Sequence, residues 1–262
     1  MNLPDLVILA LVEGVADVLP IDASAHALLV SKVVGWRAGS IAIAIHLGAA
    51  LALGVYLWRE VGQIGLAILR LRKARIEPGL RLLIKALLTA APWIALAATI
   101  GTAPVAPLSD LALVGGITIL CALAMGVIDR LCMTVKRVEH IGGITALTIG
   151  LAQLLAFIPG VGRVAVALTT ARLLGLERPA AYRFVLLANI PVLLAAATDE
   201  VVQNLIKGVR PATTDILAFG LTFALVLLAT AVAMSWVRAL GLLPFALYRL
   251  GLGIGLIVLG MM

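Results

Sequence analysis

Apolar stretches about as long as a bilayer is thick recur along the sequence, and a chain so patterned folds in lipid. Near the roughly 20 residues that a spanning helix needs, six stand out: 39–57, 81–101, 108–128, 179–197, 212–236 and 243–261. Two longer apolar stretches, 3–35 and 141–175, are each broken near the middle. The first break is Leu19-Pro20-Ile21-Asp22-Ala23-Ser24-Ala25-His26, the second Ile158-Pro159-Gly160-Val161-Gly162-Arg163. Each half is too short to cross comfortably, so the pairs read as re-entrant helices that enter and return on one side.

Composition excludes the other classes. Hydrophobic residues make up 63% and charged residues 13%, with a mean hydropathy of +1.18. A soluble domain carries roughly a quarter charged residues, so a soluble enzyme and a disordered chain are excluded. Two cysteines, Cys121 and Cys132, build no disulfide framework. The strands of an outer-membrane barrel would alternate polar and apolar, which these runs do not. The expected class is an all-α polytopic membrane protein, one domain over 1–262. The start, Met1-Asn2-Leu3-Pro4-Asp5, lacks the basic region of a cleavable signal peptide.

A net charge of +7 could mean nucleic acid; in this class it marks cytoplasmic loops. Loop 58–80 carries Arg59, Arg70, Arg72, Lys73 and Arg75 against Glu60 and Glu77, and loop 129–140 carries Arg130, Lys136 and Arg137. Loop 102–107 has no basic residue. The first two loops and Arg238 are therefore expected inside, and 102–107 outside with both termini. Lys207 and Arg210 fall outside, against the rule. The first re-entrant pair then enters from outside and the second from inside, as inverted halves of about 1–128 and 129–262. Placing Pro20 over Pro159 sets Leu11 over Gly150, Leu19 over Ile158 and Ser24 over Arg163. Such repeats hold their site near the midplane, where the breaks meet.

Ionisable groups at that depth need an explanation. The first broken segment holds Glu13, Asp17, Asp22 and His26, with Ser24 between the last two. Glu13 and Asp17, four apart, are expected on one helix face, where a divalent cation such as Mg²⁺ or Ca²⁺ would relieve their repulsion. Arg163 offers a phosphate a two-pronged clamp, Gly160 and Gly162 free the backbone, and half-helix N-termini offer N–H groups to an anion. His26 can serve as acid or base at neutral pH. Together they suit a phosphate ester. Blander readings stand beside this one. Asp22 and Ser24 serve equally as helix caps. Asp5 is read at the interface, and His46 as a neutral core residue before a lining role. Asn189-Ile190-Pro191 is read as a kink, and Tyr248 and Arg249 as interface anchors. The arginines of 70–75 form a solvated face, with anionic lipid as the sharper reading.

Glu13-Gly14-x-x-Asp17-x-Leu19-Pro20-Ile21-x-x-Ser24-x-His26 resembles the first signature of the bacterial undecaprenyl-diphosphate phosphatases, E-G-x-x-E-F-L-P-I/V-S-S-T-G-H. Pro159-Gly160-x-x-Arg163 resembles their second, P-G-x-S-R-S-G-A-T. Echoes at Ile45-His46-Leu47-Gly48, at 184–191 and at Pro244-Phe245-Ala246-Leu247-Tyr248-Arg249 extend the likeness over nearly the whole chain. The resemblance implies a multi-pass enzyme of the bacterial inner membrane. It would hydrolyse undecaprenyl diphosphate to the monophosphate, recycling the lipid carrier of peptidoglycan synthesis, with a link to bacitracin resistance and a divalent cation. It implies active-site roles for the Glu13–Asp17 pair, the signature serine, His26 and Arg163. Residue chemistry makes Glu13 and Asp17 the expected metal ligands, Arg163, Gly160 and Gly162 substrate-binding, and His26, Ser24 and Asp22 catalytic. Expected partners are the polyprenyl lipid, membrane lipids and a second copy in a homodimer, with no nucleic acid.

The departures are specific. The second glutamate is Asp17, the proposed serine nucleophile of the family falls on Ala23, and the serines flanking the arginine are Gly162 and Val164. The nucleophile is then Ser24, Asp22 or a water, with His26 activating Ser24 or the water. The alternative is a non-catalytic polyprenyl-phosphate transporter or binder on the same scaffold. An inactive relic that modulates a partner is a third reading, with nothing positive for it.

Overall fold

The computed structural model describes residues 3–33, 35, 41–70, 77–101, 110–132, 136–208 and 212–262. These residues are helical almost throughout. Loop 102–107, Arg72, Lys73, Arg75 and Arg210 lie outside the described residues.

Helix α1 (Leu3–Leu9) widens into a π-helical turn over Ala10–Val15, the chain turns through 16–22, and α2 (Ala23–Val33) leaves the break. Next come α3 (Ala42–Tyr56) and α4 (Trp58–Leu69), then α5 (Pro78–Ile100) and α6 (Leu111–Leu131). The second half starts with α7 (Gly143–Ala152), which tightens into a 3₁₀ turn over Gln153–Phe157 before the second break. It continues with α8 (Arg163–Leu173), α9 (Arg178–Ile206), α10 (Thr213–Ala239) and α11 (Leu243–Met261).

Five helices, α5, α6, α9, α10 and α11, are long and apolar enough to cross a membrane. The sixth expected span is different. Helix α3 has 15 residues, about 22 Å at 1.5 Å per residue, and α4 turns away from it by 88°. The pair makes a sixth span only if counted together. Helix α4 also corrects the reading of 58–80 as a loop. The charges Arg59, Glu60 and Arg70 sit at its two ends, and the stretch between them buries Ala67 while exposing Leu66 and Leu69. Its Glu60 accepts from Arg183 Nε and Nη2 of α9 at 2.8 and 2.6 Å. Helix α9 likewise runs past the expected end at 197. Asp199 and Glu200, past that end, both lie inside the helix.

Outward-facing positions are apolar: Leu120, Leu228 and Ile254 are exposed. In water such a surface would aggregate; facing lipid tails it carries no penalty. Helix packing uses small residues, as it does where the solvent is itself apolar. A Cβ on Gly115 of α6 would lie 2.5 Å from the Gly253 carbonyl of α11, and one on Gly253 would lie 2.7 Å from the Gly115 carbonyl. The two backbones therefore touch.

One buried carboxylate gathers the end of the bundle near the α8–α9 turn. Asp129 of α6 accepts from Arg172 Nε of α8 at 2.8 Å, Arg178 Nε of α9 at 2.9 Å and the backbone N–H of Leu242 at 3.0 Å. Asp129 and Arg172 are both buried, and the convergence of two guanidiniums and an amide offsets the cost of taking the charge out of water.

Candidate active site

The two breaks meet. Gly162 has φ +73°, and a Cβ built on it would lie 3.0 Å from Asp22 Cβ and 3.1 Å from Asp22 Cα. Asp22 itself has φ +114°, the one non-glycine among the described residues with positive φ. Asp22 and Gly162 each immediately precede a half-helix, α2 and α8. Judged by helix starts, Ala23 therefore stands opposite Arg163. That is one position from the register in which the prolines align and Ser24 faces Arg163.

Arg163 opens α8 and is buried. Its Nη2 donates to Asp17 Oδ2 at 2.6 Å and its Nη1 donates to Asn189 Oδ1. Its guanidinium carbon lies 5.0 Å from the centre of the Trp93 ring, a cation–π distance. Asn189 also donates from Nδ2 to the Asp17 carbonyl at 3.1 Å. The fourth-span Asn-Ile-Pro thus does more than relieve a kink, because Asn189 ties the first break to the arginine of the second. Two of the five guanidinium N–H groups thus have side-chain acceptors among the described residues.

Asp22 is buried and, of the two expected caps, is the one that caps α2. Its Oδ1 accepts from the Ser24 N–H at 3.1 Å and from Ser24 Oγ at 2.7 Å. Its Oδ2 is buried and has no hydrogen-bond partner. The Ser24 hydroxyl thus faces a carboxylate and not His26. The imidazole points elsewhere: Nδ1 lies 2.5 Å from the Asp22 carbonyl and Nε2 lies 2.7 Å from Tyr248 Oη. The two rings are parallel within 7°.

Tyr248 and Arg249 are therefore not interface anchors. Arg249 is buried, and its Nη2 donates to the carbonyls of Gly160 at 2.7 Å and Val161 at 2.9 Å. Gly160, with φ +98°, turns the chain so that these carbonyls face α11. Hydropathy did not separate this buried arginine from an anchoring one; the echo of the family pattern at 244–249 was the signal that could have.

Glu13 lies in the π-helical turn, four residues before Asp17. Its charged neighbours are His46, Asp17 and Glu200. His46 is not a lone core imidazole, for its Nδ1 lies 3.2 Å from Glu200 Oε2. Glu200 was missed because it seemed to lie beyond the end of its span. Among the described residues no three acidic, His or Cys side chains converge to cage a metal. Asp17 keeps Oδ1 while Oδ2 holds Arg163. Magnesium characteristically takes one or two carboxylates and completes its shell with phosphate oxygens and water, so the donor set suits a cation shared with a phosphate ligand.

Residues 6–255 match the family model described as bacitracin resistance protein BacA. The chain belongs to the BacA family. It is similar to undecaprenyl-diphosphatase 1 of Rhodospirillum rubrum, 40% identical over 99% of this chain and 95% of that one. It is also similar to the undecaprenyl-diphosphatase of Maricaulis maris, 35% identical over 98% of this chain and 99% of that one. A third relative, the undecaprenyl-diphosphatase of Alteromonas mediterranea, is 31% identical over 97% of each chain.

Proposed function

We propose that this chain is a membrane phosphatase that hydrolyses undecaprenyl diphosphate to the monophosphate, in the inner membrane of a bacterium. Relatives named for that activity match it over nearly their whole length. Five apolar helices long enough to span place it in the membrane as a multi-pass protein. The observation that carries the site is the contact of Gly162 with Asp22. It sets the serine–carboxylate pair of one break beside the arginine-led helix of the other. No finding favours the transporter alternative or the inactive relic.

The diphosphate binds at the start of α8, beside Arg163, where the first N–H groups of the helix lack intrahelical partners. Ser24 is the nucleophile. Its proton passes to Asp22 Oδ1 as Oγ attacks the terminal phosphorus, the anhydride P–O bond breaks, and the lipid monophosphate leaves with the electron pair. Water then cleaves the phosphoserine. Glu13 and Asp17 would hold a divalent cation, Mg²⁺ or Ca²⁺, which would supply positive charge to the phosphoryl oxygens. Asp17 thereby also fixes the orientation of Arg163.

The architecture is six spans and two re-entrant pairs in inverted halves, 1–128 and 129–262. The packing supports this by exchange: α3 lies on α10 as α9 lies on α5, and the π turn lies on α10 as α7 lies on α5. Under the same exchange α6·α11 and α3·α9 map onto themselves.

The test is phosphate release from undecaprenyl diphosphate by the purified protein in detergent with Mg²⁺ or Ca²⁺, beside the Rhodospirillum rubrum relative as a positive control. Release is expected. None from this chain while the control is active overturns the reading.

A further inference from the structure

His26 makes no contact with the nucleophile assigned above, yet both of its nitrogens are engaged. Nδ1 faces the Asp22 carbonyl, an acceptor only, at 2.5 Å. That nitrogen must therefore carry the proton, which leaves Nε2 of the neutral ring as the acceptor. The Nε2 lone pair is met by Tyr248 Oη at 2.7 Å. The rings are parallel within 7° with centroids 5.7 Å apart. Tyr248 is placed by its neighbour, since Arg249 is bonded to the Gly160 and Val161 carbonyls. The turn of α11 that bears the phenol is thus pinned to the second break, beside Gly162 and Asp22. The phenol is about half exposed, so its oxygen keeps lone pairs for a further donor.

We propose that Tyr248 is the proton relay of His26 and activates the water of the second half-reaction. The water oxygen forms a bond to phosphorus. The proton it loses passes to Tyr248 Oη while the phenol's own proton moves to His26 Nε2. The P–Oγ bond breaks, and Ser24 Oγ recovers its proton from Asp22. The imidazolium then returns its proton along the same path to the released phosphate, and the phenol ends unchanged. The serine–aspartate pair serves the first half-reaction and the histidine–tyrosine pair the second. This division rests on the phosphatase reading; the imidazole tautomer does not.

The experiment has two arms. In the first, ¹⁵N-histidine labelling of the detergent-solubilised protein, with the His26 signals identified through His26→Gln, is expected to show a neutral ring protonated at Nδ1. Tyr248→Phe, which keeps the ring and removes the hydroxyl, should shift the Nε2 resonance. A wild-type ring protonated at Nε2, or a spectrum unchanged in Tyr248→Phe, overturns the proposal. This arm reads out whether or not the protein releases phosphate. In the second arm, Tyr248→Phe should lower kcat by about 100-fold, the usual scale of general acid–base help, with KM within about twofold. Adding His26→Gln should then cost little more, as for residues acting as a unit. An undiminished kcat, or losses that multiply in the double variant, overturns the relay. A wild type without turnover beside the expected tautomer would overturn the phosphatase reading alone.

Discussion

Asp22 and Gly162 touch through their main chains, each at the residue before a half-helix and each with positive φ. Glycine adopts that conformation at no steric cost, whereas at Asp22 it costs of order 1–3 kcal/mol. The first break is therefore strained where the second is relaxed.

Gly162→Ala tests this contact. A methyl group meets the Asp22 backbone at about 3 Å on a φ that alanine avoids. A stability loss of roughly 1–3 kcal/mol is expected in detergent unfolding, together with a large fall in phosphate release. Gly54→Ala, where nothing lies within 4 Å, should change stability by less than about 1 kcal/mol.

Arg163→Lys keeps the charge and loses the fork. One ammonium cannot hold Asp17, Asn189 and a ligand in the planar geometry that a guanidinium imposes. Turnover should fall by about 100-fold, the scale of losing an electrostatic donor in a water-poor site. Steady-state kinetics on undecaprenyl diphosphate would show an unaltered rate if the fork were idle.

Much of this was legible in the sequence because proline and buried charge are both conspicuous in an apolar run. Pro20 and Pro159 marked both breaks, and Asp17, Asp22 and Arg163 had no loop to belong to. What stayed hidden depended on chain neighbours far apart in sequence. Asn189 read as a kink, and Tyr248 as an anchor, because each is an ordinary residue for its place in a span. Their partners, Asp17 and His26, lie 172 and 222 positions away. Helix α4 was missed for the opposite reason: the charges at its ends outweighed the apolar stretch between them.

Ser24→Ala should lower kcat by at least about 100-fold while leaving stability within about 1 kcal/mol, since Asp22 still caps α2 through the backbone N–H of residue 24. Asp22→Asn should lower both. A Ser24→Ala protein with full turnover would transfer the attack to water.

Asp129→Asn is expected to destabilise without touching the chemistry. It leaves Arg172 buried without its counter-charge, a loss of about 3–5 kcal/mol. Thermal unfolding in detergent should show it, while KM at low temperature stays at the wild-type value. A changed KM with unchanged unfolding would refute a purely structural role.

The glycine contact between α6 and α11 reaches further than its own neighbourhood. Helix α11 carries the phenol and the guanidinium that meet residues from both breaks, and the Arg249 bonds are one of two points that seat it. The other lies five residues past Tyr248, where Gly253 lies against Gly115. A methyl group at either glycine would act as a shim, tilting a rigid rod and carrying Tyr248 away from His26 without altering a single reactive atom. Substitutions that silence the chemistry should therefore be sought on the lipid-buried seam of α6 and α11 as well as around the breaks.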